Sequence, residues 1–173
     1  MNKIIYTILV FFVMIFCSIT GLEAREDLSI SKNRIVIIEY TLFIDGNKVI
    51  ETTKGKGPLT YVQGKGQLLE FLENQLSGMR KGQKTTVMIN PEDAYGEIRK
   101  DFIIKFPLEK LPEAAGVEGE ILTVTGSDGK LVKCIVKEIK GKNAVLDFNH
   151  PLAGKILMYK VEIMDVKDVR QLG

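Results

Sequence analysis

The stretch from residue 58 to residue 97 constrains the fold of this chain more than any other. Between Gln67 and Met79 the apolar residues recur at three- and four-residue steps, and this spacing predicts an amphipathic helix. A short apolar run that begins at Leu59 predicts a strand before the helix, and the run Lys84 to Asn90 predicts a strand after it. The stretch therefore predicts one helix packed on a sheet, beside a loop that carries Tyr95 and lines a small apolar pocket with a polar rim.

The sequence on either side supplies more strands for the same sheet. Ile35 to Ile44 is apolar and β-branched, and Lys48 to Thr53 follows it after the turn residues Asp45-Gly46-Asn47, which is the pattern of a β-hairpin. Ile156 to Val166 predicts a last strand close to the end of the chain. These runs indicate an α+β domain in which an antiparallel sheet wraps one short helix.

A second module interrupts this domain. Residues 101–147 contain three β-rich runs joined by turns, namely Ile121 to Thr125, Leu131 to Ile139 and Ala144 to Phe148. They predict a small, mostly β inserted domain. The first domain is then discontinuous and consists of residues 25–100 and 148–173.

Residues 1–24 have the pattern of a signal peptide. Lys3 gives a positive start, an apolar run of 16 residues follows from Ile4 to Ile19, and Ala24 precedes a suitable cleavage point. The run is shorter than the ~20 residues that span a membrane. We expect an exported protein, in a bacterial periplasm; the alternative is an uncleaved N-terminal anchor, which would be the only link to a membrane.

Charge and cysteine content exclude several classes of function. The net charge is +2 for the full chain, which gives no reason to expect nucleic acid as a partner. After cleavage Cys134 is the only cysteine, so no internal disulfide can form, and its β-like surroundings predict a packed apolar side chain rather than a reactive thiol.

No motif for nucleophilic, phosphate or metal chemistry is present. The chain has one histidine, His150, and no Cys/His cluster, so we expect no metal and no cofactor. His150 lies in an Asn-His-Pro turn, where its side chain is predicted to hold the backbone. The glycine- and lysine-rich loops lack the spacing of a P-loop, and the serines lack the context of a nucleophile elbow.

Three segments together resemble the FKBP-type peptidyl-prolyl isomerases, in their SlyD-like branch. They are GKGQLLEFLENQLSGMRKG, INPEDAYGE and LDFNHPLAGKILMYKVEIMDV, the last at residues 146–166. The resemblance implies an FKBP-like fold with an inserted chaperone-like domain. The sequence ends in DVRQLG, without the His- and Cys-rich tail of some SlyD-like proteins, so we do not expect their metal-storage role.

The resemblance implies prolyl cis-trans isomerisation, which needs no proton transfer. Tyr95 and Tyr40 are then the catalytic candidates, and Tyr95 would donate a hydrogen bond at the rim of the pocket. The substrate-binding candidates are Val49, Ile50, Leu59, Val62, Leu68, Leu69, Leu72 and Tyr159. For each apolar residue the alternative is ordinary core packing.

In the related proteins the inserted domain binds unfolded chains. The exposed apolar residues that could do so here are Phe102, Ile103, Ile104, Phe106 and Leu108. The alternative is that they form the insert's own core, and we expect a mixture of the two. The expected partners are unfolded or partly folded polypeptides with X-Pro bonds, bound by a monomer.

One departure from the family pattern bears on activity. The family commonly has a carboxylate in a Val-Asp or Phe-Asp pair after the first hairpin, and here that pair is Val49-Ile50, with Glu51 next. The acid is therefore lost from the expected position; a one-residue shift that lets Glu51 serve is possible, but it would turn side chains to the other face of the strand. This leaves two alternatives to an active isomerase: a chaperone or binding module with weak or no isomerase activity, and a structural envelope protein with an unused pocket.

Overall fold

The structure is a computed structural model that describes residues 28–111, 117–126 and 129–169. The predicted signal peptide, residues 1–24, lies outside these residues. Within them, no helix has both the length and the apolar character needed to cross a membrane.

The chain forms nine described strands and one α-helix in the order β1 to β3, α1, β4 to β9. Their bounds are β1 Arg34–Ile44, β2 Lys48–Thr52, β3 Leu59–Val62, α1 Glu70–Leu76, β4 Lys84–Ile89, β5 Ile103–Pro107, β6 Ile121–Thr125, β7 Leu131–Lys140, β8 Asn143–Asp147 and β9 Leu157–Asp168.

The first sheet is antiparallel and has five strands in the order β2-β1-β9-β4, with β3 also paired to β1. The last strand, β9, thus lies in the middle of the sheet, between β1 and β4. The helix covers one face, and the buried side chains of β1, β4 and β9 form a single core with Leu72 and Leu76 of the helix. This arrangement confirms the predicted α+β fold.

A bulge in β9 keeps the core face continuous. Ile38 of β1 is paired with Ile163, but the preceding residue of β1 is paired with Asp165, so Met164 is an extra residue. Side chains three positions apart would otherwise point to opposite faces of a strand. Because of the bulge, Ile163 and Val166 are both buried in the core.

The helix is shorter than the predicted range Gln67 to Met79, which was wrong at both ends. Leu69, which precedes the helix, has an extended backbone, with ψ 132°. After the helix, Gly78 has φ +81° and donates its N–H to the carbonyl of Ile30 at 2.8 Å. Apolar spacing alone could not show these ends, because Leu68, Leu69 and Met79 pack on the same core from a loop conformation.

A buried carboxylate fixes the loop in front of the helix. Glu73 is 5% exposed, and its Oε2 accepts the N–H of Gly64 at 2.7 Å. Its backbone carbonyl accepts a hydrogen bond from the Gln63 side chain at 2.7 Å, and Gln63 in turn accepts the Tyr61 hydroxyl at 3.0 Å. A charged group tolerates burial only when it is hydrogen-bonded in this way.

The second sheet lies within the range predicted for the inserted module. It is antiparallel, with the order β5-β8-β7-β6, and has a core of its own that includes Leu122, Val136 and Leu146. Cys134 belongs to this core and is buried, and burial raises the pKa of its thiol. The prediction that Cys134 is a packed residue is confirmed.

We expect Glu73→Gln to destabilise the protein. The substitution removes the charge and replaces one of the two acceptor oxygens by an NH2 group, so the side chain can accept the N–H of Gly64 or of Leu68 but not both. Losing a buried hydrogen bond to a charged group costs about 1–3 kcal/mol in the free energy of unfolding, measured by urea denaturation. Glu70→Gln, on the exposed side of the same helix, is the control and should change this free energy by less than ~0.5 kcal/mol. Equal effects of the two substitutions would contradict the role of Glu73.

Candidate active site

Two tyrosines on neighbouring strands meet on the face of the sheet that the helix covers. Tyr40 lies on β1, and Tyr159 lies on β9, paired with Leu42. The two ring centroids are 5.7 Å apart, and the ring planes are inclined at 46°. Offset and tilted contacts at this distance are favourable for aromatic rings because of their quadrupoles. The pairing of β1 with β9 thus builds an aromatic wall from residues that are far apart in sequence.

Glu51 of β2 lies close to the phenol of Tyr40 and, after burial, is the main contributor to the raised pKa of that phenol. In β2 Ile50 is an extra residue, because Glu51 is paired with Leu42 while Val49 is already paired with the next residue of β1. This bulge places Glu51 on the same face as Leu42 and Tyr40. The bulge thus brings the carboxylate of Glu51 to the face of Tyr40, although Ile50 occupies the position at which the family pattern has its acid.

The phenols at this site stay protonated at neutral pH. Burial, together with the nearby carboxylate of Glu51, raises the pKa of Tyr40 well above its usual value. Burial also raises the pKa of Tyr159 to about 12, with smaller contributions from the charges of Tyr95 and Glu51. Tyr95 is close enough to add to the pKa shift of both residues. Tyr40 and Tyr159 can therefore donate hydrogen bonds but cannot act as bases near pH 7.

The apolar side of the site comes from β3, the helix and the loop between them. Leu72 is fully buried, and the partly buried leucines 59, 68 and 69 pack on the same core as Tyr40 and Tyr159. The loop conformation that Glu73 fixes holds Leu68 and Leu69 against this core. The structure brings these predicted pocket residues together.

Three other predicted pocket residues lie elsewhere. Val49 is paired with Phe43, on the face of the sheet away from the helix, and is 52% exposed. Ile50 is the bulge residue and is 40% exposed. Val62 is next to the core residue Tyr61 on β3, so alternation points it to the opposite face. The structure does not bring Val49 or Val62 to the pocket, and Ile50 is an exposed residue of the β2 bulge.

Tyr95 lies on the loop after β4 and is 39% exposed. Its ring stacks on the imidazole of His150, with centroids 3.7 Å apart and planes inclined at 8°. Nδ1 of His150 accepts the backbone N–H of Leu152 at 3.2 Å. The prediction that His150 holds the backbone of its turn is confirmed, whereas its contact with Tyr95 was not predicted.

The loop of Tyr95 and the turn of His150 are joined by further hydrogen bonds. The N–H of Gly154 donates to the carbonyl of Gly96 at 2.8 Å. The Asn149 side chain accepts the N–H of Arg99 at 2.9 Å and donates to the Arg99 carbonyl at 3.0 Å. The motifs AYG and NHPLAG in the sequence indicated that both segments are present. They did not predict that the two segments are joined by hydrogen bonds.

The predicted client-binding residues divide into exposed and packed ones. Ile104 and Phe106 are 46% and 37% exposed on the edge strand β5, and the guanidinium of Arg99 lies 3.9 Å from the ring centroid of Phe102. Ile103 is half-buried, and Leu108 packs on the core of the second sheet. Exposed apolar side chains of the insert lie on β5 and also on β6 and β7, where Ile121 and Leu131 are 61% and 74% exposed.

Within residues 28–111, 117–126 and 129–169, no group of three or more His, Cys, Asp or Glu side chains is placed to hold a metal ion.

Comparison of the sequence with known proteins assigns the chain to one family. The model of the FKBP-type peptidyl-prolyl cis-trans isomerases matches residues 27–164. The chain is 33% identical over 140 residues to the FKBP-type 16 kDa peptidyl-prolyl cis-trans isomerase of Escherichia coli, an alignment that covers 80% of this chain and 94% of that protein. It is also 33% identical over 141 residues to the FKBP-type peptidyl-prolyl cis-trans isomerase SlyD of Treponema pallidum, covering 82% of this chain and 80% of that protein. SlyD of Vibrio cholerae is 32% identical over 140 residues, covering 81% of this chain and 70% of the relative.

The family match spans most of the chain, and the α+β fold with its antiparallel sheets agrees with it. The chain belongs to the FKBP-type peptidyl-prolyl cis-trans isomerases and is a SlyD-like isomerase.

Proposed function

We propose that this protein is an exported prolyl isomerase and folding helper that binds a twisted prolyl amide in the pocket around Tyr40, Tyr95 and Tyr159. The observation that carries this proposal is the convergence of the three phenols and Glu51 beside a cluster of leucines. The substrates are unfolded or partly folded polypeptides with X-Pro bonds, and the protein acts as a monomer.

Prolyl isomerisation requires a pocket that fits the proline ring and excludes water from the amide, and it requires no proton transfer. The barrier of ~18–20 kcal/mol to rotation of a peptide bond comes from amide resonance. The leucine cluster and Tyr159 accept the proline ring and remove water from the amide, which weakens its resonance and favours the half-rotated form. A site that binds the twisted form more tightly than either planar form lowers the barrier by that difference in binding free energy.

Tyr95 and Tyr40 have different roles in the proposed mechanism. Tyr95 is exposed at the rim, and among the described residues its hydroxyl has no hydrogen-bond partner, so it is available to a substrate carbonyl. Tyr40 lies near Glu51 and packs against the ring of Tyr159, and it forms part of the wall of the pocket. The argument for an inactive pocket was the loss of the acid from its expected position, and because Glu51 lies near Tyr40 we favour an active isomerase.

We expect Tyr95→Phe to lower kcat/KM about tenfold. A hydrogen bond made in the transition state contributes about 1–1.5 kcal/mol, and 1.36 kcal/mol corresponds to a factor of ten in rate. The measurement is a protease-coupled assay on a proline peptide, repeated as refolding of a proline-limited protein. Leu59→Ala should also lose activity, because it removes part of the apolar wall.

Met88→Ala is the control, since Met88 is 60% exposed on β4 and lies on the other face of the sheet. It should keep the activity of the unmodified protein. Full activity in both Tyr95→Phe and Leu59→Ala would reject the proposed pocket. No activity in the unmodified protein, with aggregation suppression intact, would favour the chaperone alternative.

The insert supplies the second part of the proposed function. Ile104 is paired with Leu146 and Phe106 with Ala144, so both lie on the apolar face of the second sheet and extend it to the open edge of β5. Apolar surface at a strand edge can hold an extended, unfolded segment through side-chain contacts.

We expect Phe106→Lys to weaken suppression of the aggregation of an unfolded client several-fold, while kcat/KM on a short proline peptide stays within twofold. Light scattering during refolding measures the first quantity. Lys105→Gln is the control, because Lys105 is exposed and alternates to the other face of β5. Unchanged suppression in Phe106→Lys would show that this edge does not bind clients.

Export rests on the sequence of residues 1–24. When the full chain is produced in a bacterium with a periplasm, we expect the purified protein to begin at Arg25, as measured by the mass of the intact protein. A mass that retains residues 1–24, with the protein in the membrane fraction, would support the anchored alternative.

A further inference from the structure

We propose that His150 is a positioning residue for prolyl isomerisation, because its imidazole sets the direction in which Tyr95 presents its hydroxyl. The proposal rests on the proposed role of Tyr95 as the donor to the substrate carbonyl. It assigns to the single histidine of the chain a task beyond holding its own turn.

The geometry of the stack restricts the Tyr95 ring. Centroids 3.7 Å apart and planes inclined at 8° mean that the two rings face each other over their whole area. Tyr95 is partly exposed and has no hydrogen bond from its hydroxyl among the described residues, so this contact is what limits rotation of its side chain. Holding a donor in the productive direction lowers the entropy that is lost when the transition state forms.

Both the ring and the backbone of His150 are held by hydrogen bonds. Its Nδ1 accepts the N–H of Leu152, and its backbone carbonyl accepts the N–H of Ala153 at 2.8 Å. An Nδ1 that accepts a hydrogen bond carries no proton, so the ring proton is on Nε2. Pro151 follows directly and restricts the backbone of His150 to extended conformations. The ring is therefore a rigid surface and not a freely rotating side chain.

Hydrogen bonds on both sides of the stack hold the two segments together. Gly96, next to Tyr95, is bonded to Gly154, and Arg99 is bonded twice to Asn149, next to His150. At Gly154 an added Cβ would lie 2.9 Å from Cγ1 of Ile98, so the two segments are also in close van der Waals contact. With the segments fixed, the direction of the Tyr95 ring depends on the surface that it stacks against.

Two substitutions distinguish the contribution of the His150 ring from that of its hydrogen bond to Leu152. His150→Phe keeps a flat ring against Tyr95 but loses the acceptor for Leu152, whereas His150→Asn keeps an acceptor near the position of Nδ1 but removes the ring. We expect His150→Phe to retain kcat/KM within about twofold. We expect His150→Asn to lower kcat/KM roughly three- to tenfold, and no more than the tenfold decrease expected for Tyr95→Phe. Urea unfolding midpoints should be measured for both variants, so that the activities are compared between folded proteins.

A double-mutant cycle gives the decisive readout. If His150 acts through the Tyr95 hydroxyl, His150→Asn has no further effect on kcat/KM in the Tyr95→Phe background. Because the chain has one histidine, its imidazole signals in NMR spectra are unambiguous, and Tyr95→Leu should move them downfield by removing the ring current of the stacked phenol.

Full activity in a folded His150→Asn variant, or losses that multiply in the cycle, would overturn the proposal. A greater loss in His150→Phe than in His150→Asn would also overturn it and would assign the effect to the turn alone. Full activity of Tyr95→Phe would instead reject the proposed role of Tyr95 itself. In that case the NMR shift still reports whether the stack forms in solution.

Discussion

The position of β9 between β1 and β4 is the constraint on which the rest of the structure depends. A central strand at the end of the chain means that the first sheet closes only after the chain has passed through the insert and returned. The core then closes in a single step, because β9 supplies Leu157, Val161 and Ile163 to it. Contacts between such distant segments slow folding, since loop-closure entropy is lost before the contacts are gained.

The same pairing explains why the pocket is at this place. Tyr40 and Tyr159 are neighbours only because β1 and β9 are hydrogen-bonded, and the bulge at Met164 allows both halves of β9 to face the helix. The bulge at Ile50 has a corresponding effect on β2, where it turns Glu51 to the phenol of Tyr40. Two local irregularities thus decide which side chains reach the pocket, without any change in strand order.

Polar groups are used sparingly and are paired where they are buried. Glu73 is bonded to the backbone of the loop that holds Leu68 and Leu69, and Glu51 lies near the phenol of Tyr40. Farther out, the carboxylate of Asp147 accepts both the backbone and the side-chain N–H of Asn149, the residue that bridges to Arg99. The strand that ends the insert is in this way connected by hydrogen bonds to the loop of Tyr95.

The sequence by itself determined the α+β class, with one helix packed on an antiparallel sheet, and the family, because hydrophobic spacing, turn residues and short motifs are local properties. It could not give the ends of the helix, since Leu68, Leu69 and Met79 are apolar for the sake of the core whether or not they are helical. It could not place the side chains of Val49 and Glu51, because one extra residue in β2 exchanges the faces of the strand and no local pattern marked the bulge. Only the tertiary structure decided that Glu51 lies near Tyr40 and that His150 stacks on Tyr95. The first pair depends on strand register and the second on the docking of two loops. Neither is encoded in the spacing of residues along the chain.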